Sequence, residues 1–141
     1  MATKREQILD QIITLLSGTT NVGSRIYRSR VVPISRGESP ALIVEPISDN
    51  AEHTASLPKY DWSLQVRVSV ICRGDVPDEV ADPVVESLYS KLMADRTLNG
   101  KAMDIEPIGV NFEMIDADQP AGVISTNWLV RYRTSLASLS T

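Results

Sequence analysis

The chain has 141 residues, 43% of them apolar and 23% charged, a formal net charge of -4 and a single cysteine. A chain of this length buries about two-thirds of its unfolded surface, so one domain over residues 1-141 is expected, with no disulfide or metal needed to hold it. The acidic balance argues against wholesale nucleic-acid binding, which needs a strong basic field; no apolar run approaches the ~20 residues of a membrane span, and Asp10, Gln11 and Thr14 interrupt the first apolar stretch as a signal peptide would not allow.

Thr3-Lys4-Arg5-Glu6 has the form of a capping box, so a helix is predicted to start there. Ile8, Leu9, Ile12, Ile13, Leu15 and Leu16 recur at helical spacing, and Gly18 is placed to end the helix. The stretch from Thr19 to Pro40 is rich in turn residues and carries Arg25, Arg28, Arg30 and Arg36; short extended pieces such as Arg25 to Val32 fit within it. Ala41 to Ile47 reads as a short strand limited by Pro46, which cannot donate to a ladder. Ser48 to Pro58 then reads as a polar loop holding His53, the only histidine.

Tyr60 to Cys72 alternates with a period of two: Tyr60, Trp62, Leu64, Val66, Val68, Val70 and Cys72 on one side, mostly polar residues on the other. This predicts a long half-buried strand whose even face the rest of the chain must cover. Cys72, lying in that register, reads as a small buried hydrophobe. Asp75 is placed to cap a helix over about Val76 to Ala94, with Val80, Val84, Leu88 and Leu92 as its buried stripe and Val85, Tyr89 and Met93 beside them. Pro83 predicts a kink or restart near Asp82. Asn99-Gly100 reads as a turn. Met103 to Ile115 and Val123 to Ser135 are expected to form a hairpin, with Ile108, Val110, Phe112 and Met114 sharing a face of the first strand and an acidic turn around Asp116 and Asp118 between them. The whole is α+β: a single, mostly antiparallel sheet with two helices packed on one face.

The inventory of reactive groups is thin. Gly100, Gly109 and Gly122 are isolated, so no phosphate loop is predicted, and a Ser-His-Asp triad would have to be built around His53 in a polar loop. Asp49, Glu52 and His53 make a weak metal signal, since no second histidine or cysteine joins them, and His53 reads as a surface residue; turn chemistry explains Asp116 and Asp118. No catalytic residue, cofactor or metal is therefore expected. The polar face of the sheet says more. Arg67, Arg131 and Arg133 cluster there, which favours acidic groups of the same or another subunit meeting them; plain solvation is the alternative.

Several of these features together resemble the tail terminator (minor tail protein U-like) family of lambda-type long-tailed bacteriophages. They are Asp61-Trp62 leading to Val70, Val76-Pro77-Asp78 opening a helix through Glu86-Ser87-Leu88-Tyr89 to Met93, Asp116-Ala117-Asp118 with Ala121-Gly122, and Trp128 with Arg131-Tyr132 in the last strand. The N-terminal helix and Ser39-Pro40-Ala41 fit the same plan, while Pro83 and the eleven-residue loop before Lys59 depart from it. The resemblance implies a non-enzymatic virion protein, a six-membered ring of itself on the tail tube that stops tube growth and offers a surface for the head. Its implied partners are the tail tube protein and a head-completion protein, with DNA passing through but not stably bound and no membrane involved; its implied place is the virion tail, and the host cytoplasm during assembly. On that reading Arg67, Arg131 and Arg133 serve subunit contacts or the lumen, and Arg25, Arg28, Arg30, Arg36 and His53 are candidates to meet the tube or the head. The alternatives are a related head-to-tail connector or baseplate subunit, or a small cytoplasmic enzyme built around His53.

Overall fold

The structure, a computed structural model, describes residues 2–29, 39–53, 58–115 and 120–141. Within them the elements run α1 (Lys4–Leu16), β1 (Ile26–Arg28), β2 (Ala41–His53), β3 (Lys59–Arg73), α2 (Pro77–Met93), β4 (Asp104–Ile115) and β5 (Ala121–Ser135). They form a five-stranded sheet in the order β1-β2-β3-β5-β4. Only β1 and β2 are parallel; the other three pairings are antiparallel, so the architecture is α+β as the alternation predicts.

The even face of β3 is the centre of the core. Leu64, Val66, Val68, Val70 and Cys72 are fully buried there beside Ile124, Trp128, Val130 and Tyr132 of β5. Ile8, Leu9, Ile12 and Leu16 of α1 and Ala81, Val84, Leu88 and Leu92 of α2 close over them. At roughly 1.5 to 3 kcal/mol per large apolar side chain, this burial outweighs the ~1 kcal/mol of any single cap. The cap still sets the boundary: the Glu6 amide donates to Thr3 Oγ1 at 3.1 Å. Glu6 does not reach back as a capping box would, because its carboxylate receives Arg28 instead. Gly18, at φ +81°, follows the C-cap Ser17 and lets the chain turn away.

Several expectations need correction. The strand from Ala41 does not stop at Ile47 but runs on to His53, so most of the predicted loop is the first arm of a long β2-β3 hairpin. The Leu42 amide donates to Arg25 and Val44 accepts from the Ser29 amide, so even-numbered amides of β2 face β1. Pro46 falls on that side beyond the last β1 residue, where its missing N–H breaks no ladder bond, and a register shift at Pro46/Ser48 absorbs the ring. α2 is capped at Val76 with no side-chain bond, so Asp75 is not the cap; Pro77 at the first helical position has no N–H to be capped. The helix continues through Pro83 without restarting, its proline on the exposed side where solvent reaches the freed carbonyl. Val80 and Tyr89, predicted buried or beside the buried stripe, are exposed, and Pro77 and Ala81 take the inner positions.

Candidate functional site

The sheet has one face under the helices and one without them, and the predicted arginines stand on the second. Each meets an acid of the neighbouring strand in the same chain. Arg67 on β3 pairs with Glu45 of β2 at 3.3 Å, and Arg131 on β5 pairs with Glu106 of β4 at 3.1 Å. Arg133 donates from Nε to Asp61 of β3 at 2.6 Å, and this hydrogen bond raises its pKa above the ordinary arginine value. The three do not form one patch. Asp61 lies opposite Arg133 and Ser63 opposite Arg131, whereas Arg67 lies opposite Asn127, four residues further along β5. Between the Arg131 and Arg67 levels the face carries Gln65 opposite Leu129, and beyond Arg67 the Ser69 and Ser125 hydroxyls lie 3.1 Å apart.

Arg25 and Arg28 of the first turn-rich segment are both engaged within the chain. Arg25 donates to the carbonyls of Pro40 at 2.9 Å and Asn21 at 2.6 Å, tying down the entry to β1. Arg28 grips the Glu6 carboxylate of α1 with both terminal nitrogens, at 3.0 and 2.9 Å. The hydrogen bond from Arg28, foremost, holds the Glu6 pKa below the usual carboxylate range. Arg30 and Arg36 lie outside the described residues, as do Asp116, Asp118 and residues 54–57. His53 ends β2 with its ring edge-on to Tyr60, centroids 5.5 Å apart, as part of a row that continues through Trp62 to a stacked Tyr132.

Sequence reasoning placed Val110, Phe112 and Met114 on one face but not where that face lies. A register shift at Pro107/Gly109 puts Ile108 at a bulge, and beyond it Val110, Phe112 and Met114 stand opposite Thr126, Ile124 and Gly122. That is the helix side of the sheet, yet these three are 45%, 64% and 49% exposed. The reason is width. A helix is about 10 Å across and strands lie ~4.8 Å apart, so two helices roof about four strands and leave the fifth bare. Where α2 meets β4 a cavity of about 160 Å³ opens, lined by Val85, Leu88, Tyr89, Pro107, Val110 and Trp128. The Tyr89 and Trp128 rings sit 5.7 Å apart at its side. Two helices were legible in the sequence, but β1 only as an extended piece, so their shortfall against five strands was not countable there.

A buried polar cluster lies at the other end of the sheet. Asp49, its side chain 8% exposed, accepts from the Tyr132 hydroxyl and from Arg5 at 3.3 Å, both on Oδ2. Burial foremost pushes its pKa up, and Oδ1 has no hydrogen-bond partner. Burial likewise raises the Cys72 thiol, whose Sγ donates to the Pro77 carbonyl at 3.0 Å. Among the described residues, no three His, Cys, Asp or Glu side chains gather as metal ligands. Among the described residues no helix is long and apolar enough to cross a membrane. No protein-family model matches the chain, and no curated protein matches it.

Proposed function

We propose that the chain is a structural subunit of a long-tailed phage or prophage, a tail terminator that forms a six-membered ring on the tail tube, ends tube growth and presents a surface to the head. The reading starts from the resemblance in the second half of the chain and from the α+β plan that goes with it. The observation that supports it most is the matching of charges on the open sheet face. Arg67, Arg131 and Arg133 all find acidic partners within the subunit. Charges already matched at home gain little from a neighbouring subunit, which favours the lumen over subunit contacts for these three. A lumen wall of this kind lets DNA pass without holding it, because a net basic field is what grips a phosphate backbone. The role is assembly, not catalysis. Arg28, committed to Glu6, is a weaker candidate for the tube or the head than Arg25 or His53.

Negative-stain imaging of the protein mixed with phage tail tubes and free tube subunits tests this. A ring seated at one tube end and a tube length that stays fixed are expected. Tubes that lengthen as freely with the protein as without it would overturn the reading.

A further inference from the structure

The two edges of the sheet are unlike in charge as well as in cover. Among the described residues, 2–29, which supply α1 and β1, carry four basic and two acidic side chains; residues 75–115, which supply α2 and β4, carry nine acidic and three basic. Strands β2, β3 and β5 stand between β1 and β4, so the edges lie about 19 Å apart and cannot meet within one molecule. On the acidic edge, Asp78, Asp82, Val85 and Tyr89 fall on one flank of α2 by helical spacing, the flank whose Val85 and Tyr89 line the cavity against β4. The bare row of Val110, Phe112 and Met114 continues that apolar strip along β4. Among the described residues β4 pairs only with β5, leaving its outer backbone groups open to a further strand.

From these observations we infer that the α2-β4 edge is the seat of a second copy of this chain, which presents its α1-β1 edge. The inference rests on the ring reading and names its contact. A β4-to-β4 dimer would bring two acid-rich edges together, and like charges across a ladder repel. The acidic edge against the basic edge is complementary: Arg25, half-buried and held by the Pro40 and Asn21 carbonyls, stands at the entry to β1, while Arg28 is partly spent on Glu6 and Asp10. Such a contact uses two different patches, so it does not close at a dimer; each subunit keeps one free edge until rotation closes a ring. Phe112 is the anchor on one side, the largest apolar side chain of the bare row and its most exposed member.

Solution mass across a concentration series, with two edge variants, tests the contact. The acidic-edge variant is Phe112→Asp with Asp82→Lys; the basic-edge variant is Arg25→Glu. Phe112→Asp and Asp82→Lys are surface changes; Arg25→Glu also gives up the bonds to the Pro40 and Asn21 carbonyls, so circular dichroism and the unfolding midpoint of each variant verify folding. Wild type is expected to form species larger than a dimer, with the apparent dissociation constant of each variant raised about tenfold or more. Mixed together, the two variants are expected to give a 1:1 heterodimer and nothing larger, since each retains one working edge. A wild type that stays monomeric up to millimolar concentration overturns the inference. So does an acidic-edge variant that assembles like wild type, or a basic-edge variant that still forms dimers alone. The two readings fail separately: rings that cap tubes despite the edge variants refute the contact only, and edge-dependent rings that ignore tubes refute the tail role only.

Discussion

The two edges of the sheet show the same alternation finished in two ways. At β1 the strand is three residues long, and Arg28 ties it to Glu6 of α1. At β4 the strand is twelve residues long and its apolar row stands clear of α2. The difference teaches that period-two patterning reports which side chains share a face, while cover depends on how many helices there are to share among the strands. An apolar face left bare by that count is a demand for another surface.

The largest effect that separates centre from edge is the loss of core side chains. Leu88→Ala, beneath α2, is expected to cost about 2 to 5 kcal/mol in denaturant unfolding of dilute protein. Phe112→Ala on the bare row is expected to cost under about 1 kcal/mol, since little is removed from contact. Equal costs would mean that β4 is covered within the monomer.

Next in size is the join between α2 and β5. A Cβ on Gly122 would lie 2.6 Å from Pro77 Cβ and 3.2 Å from Met114 Sδ. Gly122→Ala is therefore expected to destabilise by about 1 to 3 kcal/mol through overpacking. A neutral result in the same unfolding measurement would show the helix start to be loosely seated. Arg28→Ala sharpens the comparison from the β1 edge: it should cost about 1 kcal/mol or less, falling with added salt as a partly exposed pair does.

The smallest effect is in pH dependence. Asp49 is raised by burial, so the fold holds its proton at pH values where the unfolded chain has lost it. Its contribution to stability is fully present below the ordinary aspartate value and is lost as the pH rises through the folded value. Glu6, lowered chiefly by its hydrogen bond from Arg28, acts in the opposite sense, losing its contribution as the pH falls through its folded value. Asp49→Asn is expected to flatten the fall in stability above pH ~4 and leave the acid limb in place. An unchanged profile would remove Asp49 as its source.

Much of this was legible in the residues. The alternation from Tyr60 to Cys72, the Thr3 cap and the β4-β5 hairpin are local or period-two signals, and they appear where the spacing puts them. β1 was legible only as an extended piece, because three residues carry no period. The extension of β2 past Pro46 was hidden because proline's penalty depends on which neighbour its nitrogen faces, a tertiary fact. The acidic partners of Arg67, Arg131 and Arg133 follow from register, which alternation alone does not set. Phe112 was legible as a member of a face; its exposure follows only from the strand order.

Hydrogen–deuterium exchange over residues 109–114, in dilute and in concentrated protein, tests most directly whether a second copy covers the β4 edge. The account predicts fast exchange of the outward amides in dilute protein and protection at high concentration, lost in Phe112→Asp. The same exchange at both concentrations would contradict it.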